Sequence, residues 1–159
     1  MFNRIFNWLM FRVKLKLKSV AIYFIGSIID DRIYKRHFIY GDQSRLSIGN
    51  GVNLNNALIN TASGKVVIGD YSFCGHNVSL ITGTHDYNFT GRDRQTHIPD
   101  CGRDIVIGKG VWIGSNTVIL GPCEIGDNAV IGACSLVNKN VAKDSIYHGI
   151  PARKMATNS

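Results

Sequence analysis

An all-β solenoid built from six-residue units is the fold this sequence predicts, on three observations. From Ile105 to Ala142 an aliphatic residue returns every six positions, as Ile107, Ile113, Ile119, Ile125, Ile131 and Val137. Gly follows four of them, as Gly108, Gly114, Gly126 and Gly132. A second register two residues earlier holds Ile105, Val111, Thr117, Cys123, Ala129 and Ser135, all β-branched or small. Neither a 3.6-residue helix nor simple alternation sustains a period of six. A hexapeptide solenoid does, with one short strand and a turn per unit and three units per triangular coil. The aliphatic residue then points into the shaft and stacks on its equivalent about 4.8 Å along the ladder. The Gly after it occupies a corner, where a backbone without Cβ is favoured.

Size and composition agree. The 159 residues suffice for one domain with a core, and 17 Gly against 3 Pro suit a turn-dense β architecture. Cys74, Cys101, Cys123 and Cys134 show no CxxC pair or zinc spacing; two of them occupy repeat positions and read as buried thiols. The net charge of +7 is uneven: residues 1–45 hold nine Lys/Arg against three Asp, and residues 46–159 nine against eight. A nucleic-acid-binding domain carries its charge on the folded body, so no nucleic-acid partner is expected.

The chain opens with a basic, aromatic extension, residues 1–45, helical or mixed. Phe2, Ile5, Phe6, Leu9 and Val13 fall at spacings of three and four, one face of an amphipathic helix, whereas Val13 to Leu17 alternates as VKLKL. The apolar run Val20 to Ile29 is only ten residues, too short to span a bilayer, and no cleavage site of the small-x-small kind follows it. Residues 1–29 read either as a peripheral membrane contact, basic groups on anionic lipid, or as a cap on the open end of the solenoid. The repeat domain, residues 46–159, starts raggedly with Ile48-Gly49, Leu54 and Asn60, then recovers at Ile68-Gly69, Cys74-Gly75 and Leu80. It pauses over residues 86–104, DYNFTGRDRQTHIPDCGRD, a polar excursion whose length marks it as functional. About four coils result. After Ala142 the period stops, and the rest reads as a short closing segment with a frayed tail.

These repeats resemble the left-handed parallel β-helix of the hexapeptide-repeat acyltransferases, most closely the galactoside, maltose and xenobiotic O-acetyltransferase branch. The handedness comes from that resemblance. So do the site assignments. In this branch a strand ending in Thr-Gly precedes a catalytic histidine fifteen residues after the Asp of an Ile-Gly-Asp hexamer; Ile68-Gly69-Asp70 and His85 keep that spacing. His85, at the last regular position before the excursion, is thereby expected as general base, an imidazole being matched to proton transfer near neutral pH. Asp86 is its neighbour in sequence, but adjacent side chains in a strand diverge.

Asn55, fifteen residues before Asp70, matches the Asn that contacts the acceptor sugar; read bottom-up, it is an Asn suited to a left-handed corner. Ser115 matches the position whose backbone N–H faces the thioester carbonyl, and Ala133 a small residue along which the pantetheine arm lies. Lys139 and Arg153, the latter in Gly149-Ile150-Pro151-Ala152-Arg153, match basic positions near the CoA phosphates. Asn138 departs from the Thr often found before that Lys. Trp112 reads equally as a flank of the donor channel and as ordinary wall packing. His76, His85 and His97 do not keep the ligand spacing of the γ-carbonic anhydrases, which share this fold, so no metal is expected.

The resemblance therefore implies a homotrimer with sites between subunits, acetyl-CoA as acyl donor, and direct transfer to a saccharide hydroxyl. The basic N-terminus points to a cytoplasmic enzyme, peripheral at the inner face of the membrane, acting in bacterial capsule, exopolysaccharide or lipopolysaccharide biosynthesis on an acceptor that is lipid-linked or membrane-proximal. The alternatives are detoxifying acetylation of a small sugar or antibiotic, and a non-catalytic trimeric scaffold.

Overall fold

The computed structural model describes residues 2–157, with side chains for 6–29 and 35–157. The chain divides into two compact units, Met1–Lys35 and Arg36–Ser159. The first is one helix, α1 (Phe2–Tyr34). It contains no Pro and one interior Gly, Gly26, and Val13–Leu17 joins it despite its alternating pattern. An isolated strand leaves its backbone unpaired, whereas a helix satisfies its own N–H and C=O groups. The apolar face read from the first turns continues along α1, through Phe6, Leu9, Val13, Leu17, Val20, Phe24 and Ile28 at spacings of three and four. A second stripe, Trp8, Phe11, Leu15, Ile22 and Ile29, lies on the opposite side.

The second unit is a parallel β-helix of three sheets. One face stacks Phe38–Tyr40, Leu58–Asn60, Ser79–Ile81, Val118–Leu120 and Leu136–Val137. The next carries Leu46–Ile48, Val66–Ile68, Ile105–Ile107 and Cys123–Ile125. The third carries Phe73–Cys74, Trp112–Ile113, Val130–Ile131 and Ser145–Gly149, closed by Ala152–Thr157. Every pairing is parallel except the last, in which Ala152–Thr157 folds back antiparallel on Ser145–Gly149. The expected closing segment is a β-hairpin whose strand runs to Thr157, and the end of the expected tail lies outside the described residues.

Equivalent residues lie 18 apart in the late coils, as in the Lys109 N–H bond to Asp127. They lie 39 apart across the excursion, as in the Lys65 N–H bond to Asp104, and 20 or 21 apart in the early coils. Those extra residues make the first half of the repeat ragged. Two details depart from the repeat as read. The ladder starts at Phe38, which pairs with Leu58, rather than at residue 46. In the early coil Ile59 is the residue fully buried, while Asn60 faces outward and its Oδ1 accepts the N–H groups of Ala62 and Gly83.

Both registers point inward. Ile107, Ile113, Ile119, Ile125, Ile131 and Val137 are buried, and so are Ile105, Val111, Thr117, Cys123, Ala129 and Ser135. Buried hydroxyls are satisfied by turn backbone: Ser72 Oγ donates to Gly108 O at 2.8 Å and accepts from Val111 N at 3.0 Å. The repeat glycines serve close approach rather than positive φ. A Cβ on Gly114 would lie 2.5 Å from Ala133 N, and one on Gly126 2.5 Å from Lys143 N. Positive φ falls two residues later, at Gly110, Asn116, Asn128 and Cys134.

Removing part of one inward residue should cost far more than trimming an outward one. Ile119→Ala should destabilise the protein by about 2–5 kcal/mol, and Val106→Ala by less than about 0.5 kcal/mol. Urea midpoints measure both, and equal shifts would contradict a stacked interior. Burial pushes the Cys74 thiol up to about 12 and the Cys123 thiol up to about 11, because the shaft disfavours thiolate. In the folded protein at pH 8 a thiol reagent should therefore label the exposed Cys101 and Cys134 and spare the other two until denaturant is added.

Candidate functional site

The residues expected to form the site lie on two corners of the prism. The corner between the third and first faces carries Asn55, His76, Ser115 and Ala133 in successive coils. Its registers are set by Asn53 opposite Phe73, Cys74 opposite Ile113, and Ile113 opposite Ile131. An Asn ladder runs beside them: Asn56 Nδ2 donates to Asn77 Oδ1 at 2.7 Å, and Asn77 Nδ2 to Asn116 Oδ1 at 3.3 Å. Asn77 and Asn116 take positive φ, and the ladder spends its side chains on the neighbouring coil. Asn55, beside the ladder, also takes positive φ, at 45°, with its Nδ2 donating to Cys74 O at 2.8 Å.

Ser115 is half-buried. Its Oγ accepts the His76 N–H at 3.1 Å and its carbonyl the Cys134 N–H, while its own N–H has no acceptor among the described residues. Ala133 is exposed in the coil above, brought close by Gly114. Arg153 stands opposite His148 in the terminal hairpin, its Nη1 donating to Ala152 O at 3.0 Å.

The other corner, between the first and second faces, carries Lys139, the Gly121-Pro122 turn and the start of the excursion with His85. Lys139 is exposed, and its carbonyl accepts the Cys123 thiol at 3.3 Å. A face crossed in the six residues from Ser115 to Gly121 is at most about 20 Å wide at strand rise. One chain therefore gathers Asn55, Ser115, Ala133 and Arg153 along one edge and His85 and Lys139 along another. It does not bring the two groups together.

The excursion contains a short helix, α2 (Gly91–Thr96). His85 lies under it with Nδ1 2.9 Å from Arg94 O. A carbonyl only accepts, so Nδ1 carries the proton and Nε2 presents its lone pair. His85, Gly91, Arg94 and Gln95 line an open concavity on this side. Arginines bonded to backbone carbonyls hold the excursion in place. Arg94 Nε donates to Phe89 O at 2.6 Å and its Nη2 to Tyr87 O at 3.2 Å. Arg103 Nε donates to Thr82 O at 2.9 Å, and Arg45 Nη1 to Asp100 O at 2.5 Å. The Phe89 and His97 rings stack at 4.2 Å, and His97 Nδ1 bonds Asp93 O at 2.8 Å.

Asp86 faces its own turn, its Oδ1 accepting from Asn88. Arg94 is the contact that sequence reasoning missed. Its relevant atom is a main-chain oxygen, which no residue type announces. Trp112 is half-exposed on the third face and stacks on Phe73 at 6.0 Å. Among the described residues no group of three His, Cys, Asp or Glu side chains converges.

Comparison with known proteins places this chain in a family. The bacterial transferase hexapeptide (six repeats) family matches residues 104–139. A putative acetyltransferase of Saccharomyces cerevisiae is 30% identical over 138 residues, covering 87% of this chain and 69% of that one. The galactoside O-acetyltransferase of Escherichia coli K12 is 35% identical over 118 residues, 74% of this chain and 55% of that protein. A crystal structure of a galactoside acetyltransferase in complex with coenzyme A superposes with a TM-score of 0.66 at 31% identity, covering 76% of this chain and 59% of that one. The chain belongs to the hexapeptide-repeat acetyltransferase family, and its fold is that family's left-handed parallel β-helix. It spans about half, or less, of the length of several curated relatives that it matches.

Arg94→Ala removes two of the four guanidinium bonds that hold the excursion. Limited proteolysis should then nick residues 86–104 at least several-fold faster, with the urea midpoint of the β-helix shifted little, because no buried apolar group is lost. Unchanged cleavage would mean that the arginine does not hold the segment.

Proposed function

We propose that this chain is an acetyl-CoA-dependent O-acetyltransferase that passes an acetyl group directly to a saccharide hydroxyl, with His85 as general base. The observation that carries the reading is the bond from His85 Nδ1 to Arg94 O, because it leaves Nε2 as the proton acceptor. His85 takes the hydroxyl proton as the oxygen attacks the thioester carbonyl. The Ser115 N–H, which has no acceptor among the described residues, faces the oxyanion as the C–O bond forms. His85 then returns the proton to the departing thiolate. Acetyl-CoA supplies the acyl group; Ala133 gives its arm a flat edge, and Lys139 and Arg153 meet its phosphates. Asn55 contributes its remaining amide oxygen to the acceptor sugar.

The separation of the two groups by a prism face supports a homotrimer, in which the His85 edge of one subunit meets the Ser115 edge of the next. The galactoside and maltose acetyltransferases among the similar proteins support a sugar acceptor. The basic, apolar α1 supports work at the cytoplasmic face of a membrane, on a lipid-linked or membrane-proximal glycan of bacterial surface-polysaccharide synthesis.

Thiol release from acetyl-CoA, followed across a panel of mono- and oligosaccharides, tests the reading. His85→Ala should lower kcat by about 10²–10⁴ with subunit assembly unchanged. Ser115→Ala, which keeps the backbone donor, should stay within a few-fold of the parent. Near-normal turnover in His85→Ala would remove the general base. Absence of acetyl-CoA binding would point to a scaffold.

A further inference from the structure

The surface of α1 demands a partner that the rest of the chain's chemistry does not explain. Fifteen large apolar residues between Phe6 and Ile29 are exposed, among them Phe6, Trp8, Phe11 and Phe24, each more than half. Soluble proteins rarely leave apolar area of this extent open to water. The charges on the same helix are all of one sign up to Ser27: Arg4, Arg12, Lys14, Lys16 and Lys18, with Asp30 the first acidic residue.

The geometry points to an anionic lipid surface as the partner, with α1 lying in the plane of the headgroups. Three observations select this occupant. First, Arg12 and Lys16 fall on one flank of the Phe6–Ile28 stripe and Lys14 on the other, as the helical spacing sets them. A helix sunk into the headgroup layer, with the Phe6–Ile28 stripe toward the acyl chains and the Trp8 and Phe11 side toward the headgroups, can therefore extend cations sideways to lipid phosphates while their methylene stems stay on apolar surface. Second, the basic band at residues 12–18 sits between two apolar stretches. A pose crossing the bilayer would carry four cations into hydrocarbon, and no helix among the described residues is long and apolar enough to cross. Third, parallel association with the same helix of a second copy would set these cations beside one another with no acid to offset them, whereas an anionic leaflet attracts each. The Arg12 guanidinium already rests 5.4 Å over the Trp8 ring, a cation and an aromatic of the pair favoured in the interfacial layer.

This deepens the membrane-facing part of the proposed function and is independent of its acetyl-transfer chemistry. Flotation of the full chain with vesicles tests it. Vesicles of phosphatidylcholine containing phosphatidylglycerol should retain the protein on the order of tenfold or more better than phosphatidylcholine alone, with the difference shrinking as salt rises. K14E/K16E/K18E should lose that preference, and L9S/V13S/V20S should lose retention on both lipids. Thiol release with a soluble saccharide is read in parallel, so that loss of turnover and loss of retention are scored separately. Equal retention on both lipids, no retention, or helix-dependent association of copies in place of lipid binding would each overturn the proposal.

Discussion

The β-helix depends on one spacing. Successive coils sit a strand-to-strand distance apart, so every residue along the chain faces its own repeat about 4.8 Å away. That distance admits an aliphatic stack inside the shaft, where Ile107, Ile125 and their equivalents are buried. At the turns it leaves no room for a Cβ, and so Gly114 and Gly126 meet the backbone of the next coil directly. Buried hydroxyls at the same turns, such as Ser72 and Ser135, bond carbonyls that the strands do not use. Packing and hydrogen bonding thus impose the same six-residue period.

A ladder of this kind is stiff along its axis and tolerant at its corners. The excursion at residues 86–104 leaves through one corner and returns without shifting the register, because Val66 still pairs with Ile105. Its order comes from a different source. Arg45, Arg94 and Arg103 reach main-chain carbonyls rather than carboxylates, and Phe89 packs on His97. The result places a carbonyl against His85 Nδ1, giving the ring one tautomer and one orientation. A rigid solenoid supplies the corner, and a folded loop supplies the ring's partner.

The two units follow different rules. In the β-helix coils the inward apolar side chains have equivalents one coil away to stack on. In α1 they have none, and apolar and basic residues share one exposed surface. Helix formation there needs only local hydrogen bonds, so it prevails over the strand-like VKLKL pattern.

How much was legible in the residues can be traced along the chain. The strict period from Ile105 to Val137 determined the triangular coil, the inward registers and the burial of Cys123, because three six-residue units close one coil; the handedness came from the family resemblance. The early coils were less legible: insertions of two or three residues moved the buried position from Asn60 to Ile59, and Phe38–Tyr40 carries no repeat signature. His85 and Ser115 were singled out as candidates by the resemblance to the family's motifs. Their placement on different corners became visible only when strand registers assigned each turn to an edge. The Arg94 carbonyl left no trace in sequence, since every residue has one and only the fold of the loop decides where it points. Local periodicity determines which residues face inward; the tertiary structure alone decides which backbone atoms meet across a turn, because those contacts join residues that share no repeat.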